Sequence, residues 1–106
     1  MSAIDLRRTC PVTVVDDIDA PDVAPGSIEV RGAGTDAGGY GYACVGCGSL
    51  SWLAIGPENP SPRWVVTAGD AADPSTVTLS PSIFHTVERG GCGWHGYLTA
   101  GVLRPC

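Results

Sequence analysis

Cys44 and Cys47 flank Val45-Gly46 and are followed by Gly48, while Cys92 and His95 flank Gly93-Trp94 and are followed by Gly96. Two soft ligands three positions apart, with glycine behind the second, is the layout of a zinc knuckle. The two intervening residues let the chain curl so that turn amides point at the thiolate sulfurs. A residue just past the second ligand often needs positive φ, which glycine adopts without steric cost. Two such turns predict one closed tetrahedral site, with Cys44, Cys47, Cys92 and His95 holding a single structural Zn2+.

Other chemistry for these residues is weaker. A disulfide framework wants an oxidising compartment and usually an even cysteine count. This chain has five cysteines, and Met1-Ser2-Ala3-Ile4-Asp5-Leu6-Arg7-Arg8 lacks the apolar run of a signal peptide. A redox pair would place Cys44 and Cys47 at a helix start, yet Gly48-Ser49-Leu50-Ser51-Trp52-Leu53 reads as strand. Cys10 and Cys106 read as free thiols, with either left open as a substitute ligand. Four protein ligands close the metal site, so no catalytic position remains on it. The deaminase pattern is also missing, because no H-x-E occurs and Ala43 stands where that pattern has proline. His85-Thr86-Val87-Glu88 is the other place where a base and a carboxylate adjoin, and it carries the alternative of a small metal-dependent hydrolase or nuclease. Ser80 and Ser82 have no base-and-acid pair beside them in sequence and read as turn residues around Pro81. No catalytic residue is assigned.

The elements around these residues read as short strands. Tyr40-Gly41-Tyr42-Ala43 leads into the first knuckle and Leu50 to Ile55 leaves it, giving a hairpin with ligands at its tip. Arg63 to Thr67 and Thr76 to Leu79 are further strands, and Ile83-Phe84 continues beyond the Ser80-Pro81-Ser82 turn. Tyr97 to Thr99 and Val102 to Arg104 pair across Ala100-Gly101 as a closing hairpin. Upstream, Cys10 to Val15 and Ser27 to Arg31 each read as a short strand, separated by an acidic, proline-containing stretch. Residues 32–39 are a glycine-rich connector. The fold class is therefore small and mostly β, with zinc-ribbon-like hairpins joined by one zinc. The division is an acidic N-terminal arm over 1–39 and a zinc-knuckle domain over 40–106. Trp52 and Trp64 are expected in the core, with Trp94 exposed between two ligands as a contact residue.

At 106 residues the chain is one domain. A packed unit this small needs a metal or disulfide staple. The formal net charge is −5, and all six basic residues are scattered arginines without a stripe. Nucleic-acid binding draws its affinity from phosphate neutralisation, so a nucleic-acid-binding zinc ribbon is only the third reading. No stretch approaches the roughly 18 apolar residues of a membrane span.

With these blocks in view, the chain resembles a family of uncharacterised zinc-binding proteins from bacteria and bacteriophages, over Tyr42 to Cys106. The resemblance rests on Cys44-x-x-Cys47-Gly48, Trp64, Val77-Thr78-Leu79-Ser80-Pro81-Ser82-Ile83 and Gly91-Cys92-Gly93-Trp94-His95-Gly96-Tyr97-Leu98. Many members carry phenylalanine directly after the histidine, where this chain has Gly96, a departure that touches core packing. The resemblance implies the metal site and a prokaryotic or phage setting. The expected function is a non-enzymatic, zinc-stabilised protein-interaction module, a bacteriophage accessory factor. Its partner would be a host protein, a virion component or a second copy, in the host cytoplasm or on a virion.

Overall fold

In the computed structural model, residues 7–32, 35, 37–59, 63–89 and 91–106 are described. Parts of the expected glycine-rich connector (33, 34 and 36) lie outside them. Ten short strands follow one another: β1 (Cys10–Pro11), β2 (Thr13–Val14), β3 (Ser27–Arg31), β4 (Gly39–Ala43), β5 (Leu50–Ala54), β6 (Val65–Ala68), β7 (Thr78–Ser80), β8 (Ile83–Phe84), β9 (His95–Thr99) and β10 (Val102–Pro105). The helical turns among the described residues are the 3-10 pieces Pro74–Thr76 and Val87–Arg89. No helix among them is long and apolar enough to cross a membrane. The small mostly-β reading holds.

Two four-stranded sheets, ordered β2-β3-β4-β5 and β1-β10-β9-β8, are accompanied by the β6-β7 pair. In the first sheet β4 is central and all five of its residues are buried. Tyr42 faces Ile28 on one side and Ser51 on the other, while Tyr40 faces Val30 and Leu53. Each phenol finds a polar partner: Tyr40 Oη donates to Ala71 O at 2.7 Å, and Tyr42 Oη accepts from Val45 N–H at 3.3 Å. Buried tyrosines add large apolar area only when the hydroxyl is satisfied in this way. Ile28, Tyr40, Tyr42, Val45, Leu53, Val77, Leu79, Ile83, Trp94, Leu98 and Leu103 form the core.

In the second sheet β9 and β10 form the expected hairpin, with Thr99 opposite Val102. Its two turn residues both have positive φ, 48° at Ala100 and 77° at Gly101. This is the conformation whose twist matches a two-residue hairpin. A Cβ on Gly101 would lie 2.0 Å from Ser75 O, so only glycine fits there.

The expected N-terminal arm is not separate from the packed unit. β1 pairs with β10, and β2 runs parallel to β3, which in turn pairs with β4. Val12, Ile18 and Ile28 are buried, so residues 10–31 complete both sheets. The acidic residues between them stay at the surface. There Glu29 takes the Ile18 amide at 2.9 Å and pairs with Arg31, which also reaches Asp19 at 3.2 Å. Local charge disguised apolar positions that only pair at long range.

Trp52 and Trp94 are reversed, while Trp64 packs against the core as expected. Trp94 is fully buried, Trp64 is half-buried and Trp52 is 42% exposed. The Trp94 indole lies across Gly96, where a Cβ would come 2.6 Å from its ring, and its Nε1–H donates to Arg8 O at 3.3 Å. Gly96 thus makes room for an indole in the core.

Candidate functional site

The first knuckle folds as its spacing predicts. It caps the β4–β5 hairpin, with Cys44 N–H donating to Ser49 O and Gly48 N–H returning to Cys44 O at 2.7 Å. Gly48 has φ of 81°. The amides of Gly46 and Cys47 point at the Cys44 sulfur. Cys92 is carried to the same place by the segment before β9. The Sγ atoms of Cys44, Cys47 and Cys92 all lie within 4.8 Å of one another. Cys44 Sγ and Cys92 Sγ are 3.6 Å apart. Two thiolates on a tetrahedral ion at about 2.3 Å sit a little under 4 Å apart, so this cluster has the dimensions of a metal site.

The electrostatics agree with that use. Burial pushes the Cys44 thiol up to about 12, against the pull of the two turn amides. Burial also raises Cys47, yet its hydrogen bonds with Ser49 and the other two thiols leave it below the usual thiol value. Amides aimed at the Cys44 sulfur and a lowered Cys47 thiol are features that a bound cation can use.

His95 does not join the three cysteines. The second turn is not a knuckle: positive φ falls at Gly93, not at Gly96, and His95 is already the first residue of β9. Its Nε2 lies 2.7 Å from Ser82 Oγ. Of the four residues assigned to one ion, the structure gathers three and places the fourth on a serine.

That serine is held by several elements. It follows the cis Ser80–Pro81 bond and immediately precedes β8. Trp64 Nε1–H donates to Ser82 O at 3.2 Å, and Trp64 N–H donates to Ala54 O at 2.8 Å, tying the turn to the first sheet. Ile83 opposite Gly96 and Phe84 opposite His95 set the register that brings hydroxyl and imidazole together. Cys106 N–H donates to His95 O at 3.0 Å, fixing the backbone of β9 from its other side. Phe84 stacks on the His95 ring with centroids 4.7 Å apart. Both Ser82 and His95 are half-buried. A hydroxyl and an imidazole at this distance, open to solvent on one side, can work as nucleophile and general base.

His85 lies beside the segment that carries Cys92, its carbonyl accepting from Gly93 N–H at 2.7 Å, but it is not among the clustered ligands. His85 stacks on Tyr42 at 5.3 Å, and its Nε2 is buried without a hydrogen-bond partner among the described residues. Burial holds its pKa below the ordinary value. No hydrogen bond or ion pair joins it to the exposed Glu88 among the described residues, so that pair makes no hydrolytic site. Cys10 and Cys106 are free thiols, as are the clustered three. The one signal that could have exposed Ser82 is strand register: pairing Ile83-Phe84 against His95-Gly96 sets the serine beside the histidine.

No curated protein and no solved structure matches the chain. A family model does, over residues 14–106, and its description is a bacterial ubiquitination-like system serine protease, BubE. That description overturns the expectation of a non-enzymatic phage accessory factor: it names a protease of a bacterial system. The match also takes in β3, which the earlier resemblance left outside. On this span, nearly the whole length, the chain belongs to the BubE family, the serine proteases of bacterial ubiquitination-like systems.

Proposed function

We propose that this chain cleaves acyl bonds of a protein substrate in such a system, with Ser82 as nucleophile and His95 as its general base. The observation that carries the reading is the 2.7 Å contact between Ser82 Oγ and His95 Nε2, in a chain whose family is described as a serine protease. In the neutral tautomer with the proton on Nδ1, Ser82 Oγ–H donates to Nε2. Attack of Oγ on the substrate carbonyl carbon moves that proton to Nε2. The imidazolium then gives it to the leaving amine as the acyl–oxygen ester forms at Ser82. Water repeats the sequence, His95 taking its proton, and frees the acid. Among the described residues no carboxylate hydrogen-bonds to His95, so the arrangement is a Ser–His dyad. General-base assistance of this kind contributes about 10²–10⁴-fold.

The cysteine cluster has a separate role in this reading. Cys44, Cys47 and Cys92 hold one Zn2+, chosen by three soft ligands at tetrahedral spacing. The ion joins the tip of the β4–β5 hairpin to the segment that leads into β9. It supplies folding free energy and thereby steadies the strand that carries His95.

The test is cleavage of a protein–protein conjugate or precursor of the cognate system by the native chain and by Ser82→Ala. The reading expects cleavage by the native protein and none by the variant at equal zinc content. Undiminished cleavage by Ser82→Ala would end it.

A further inference from the structure

Phe84 is 55% exposed, on the edge strand of the second sheet, and its ring stacks on that of His95. It stands opposite His95 in the β8–β9 ladder. The next bond in that ladder, His85 N–H to Trp94 O at 2.9 Å, marks Phe84 and His95 as a non-hydrogen-bonded pair. In such pairs the side chains approach most closely. The rings accordingly stack, centroids 4.7 Å apart and planes 24° from parallel. Ser82 lies two residues before Phe84, and residues so spaced on a strand share a face. Nucleophile, base and phenyl ring therefore stand together on one side of β8.

An imidazole held only through Nε2 can still turn about its Cβ–Cγ bond. In a triad, a carboxylate on Nδ1 removes that freedom. Among the described residues His95 has no such carboxylate, but it has a flat ring against its face. We infer that Phe84 is the positioning residue of the dyad: its ring holds the His95 imidazole in the plane that aims Nε2 at Ser82 Oγ. The inference rests on the reading of Ser82 and His95 as nucleophile and base. Phe84 stacks on the imidazole and carries no polar group of its own, so it acts through His95. Its exposure argues against a mainly structural role, since truncating a ring this open removes little from the core.

The experiment uses full-length, zinc-loaded protein and 4-nitrophenyl acetate, following the rate of acylation and its saturation separately, with fluorophosphonate labelling of Ser82 alongside. Phe84→Ala is expected to lower the maximal acylation rate by about 10–100-fold, the scale of a misaimed catalytic group, with half-saturation moving less than about 3-fold. Labelling should slow in parallel. Phe84→Tyr, which keeps the ring, should restore at least half of the native rate. An acylation rate in Phe84→Ala within twofold of native overturns the inference. So does a change confined to half-saturation, which makes Phe84 a substrate contact. Failure of Phe84→Tyr to recover also counts against it. Ser82→Ala separates the two levels: if it labels like the native protein, the assignment of the nucleophile fails, whatever Phe84 does.

Discussion

Ser82 and His95 lie 13 positions apart in the chain, and the β8–β9 register brings Oγ to within 2.7 Å of Nε2. The histidine that spacing alone assigns to a metal is thereby used by a hydroxyl. The possible metal ligands and the proposed dyad therefore fall on different residues, Cys44, Cys47 and Cys92 for the one and Ser82 and His95 for the other.

The separation can be tested at His95. Substituting His95→Gln is expected to lower cleavage by about 10²–10⁴-fold, the usual contribution of a general base. Bound zinc, measured by elemental analysis, should stay at the native level because His95 is not among the clustered cysteines that could hold it. Loss of zinc along with activity would return His95 to the metal.

Removing the ion should unfold the protein. Structural zinc contributes an apparent ~10–16 kcal/mol, more than the net stability of an ordinary small domain. Chelation at neutral pH, or Cys44→Ser or Cys92→Ser, is expected to abolish the cooperative thermal transition followed by circular dichroism. Cysteine binds zinc as the thiolate and is mostly protonated at neutral pH, so binding must expel its proton. Zinc affinity should then fall as pH falls, by about tenfold per unit for each proton released. Competition with a chromophoric chelator between pH 6 and 8 measures the slope.

Trp94 and Trp52 should behave in opposite ways. Trp94→Ala removes a fully buried indole and is expected to cost about 3–5 kcal/mol. Trp52→Ala, at a side chain 42% exposed, should cost about 1 kcal/mol or less. Urea denaturation of the two variants checks the order, and Gly96→Ala should resemble Trp94→Ala because its Cβ meets both the indole and Arg104 O.

His85 carries a pH signature of its own. Burial depresses its pKa below the ordinary 6.5, so the folded state favours the neutral ring. The stability it contributes is fully present above the unfolded value and is lost as pH falls through the folded one. In excess zinc, the native protein should lose more stability than His85→Phe between pH 7.5 and 5.5. Equal losses would show that His85 is not buried as a neutral group.

Much of the architecture was legible because it is local. The Cys44–Cys47 turn, the β4–β5 hairpin around it and the Ala100-Gly101 hairpin depend on residues a few positions apart, where turn chemistry decides. What escaped depends on register. Trp52 lies in a strand and Trp94 just before one, and the burial of each is set by what packs against it from distant segments. Ser82 reads as a turn hydroxyl because the imidazole beside it comes from β9, and the Cys-x-x-His spacing of Cys92 and His95 does not bring the histidine to the cysteine cluster. The acidic run 16–22 masked Ile18, whose burial needs β3 and β4 beside it. Local pattern told where the cysteines cluster; long-range pairing alone set Ser82 beside His95.

The most direct measurement is the site of covalent modification by a fluorophosphonate, mapped by tandem mass spectrometry on the zinc-loaded protein. One phosphonyl group on Ser82, absent after His95→Gln over the same interval, is the predicted result. Modification at another serine, or at none while the protein still cleaves its substrate, would contradict the assignment of Ser82 as the hydroxyl that reacts.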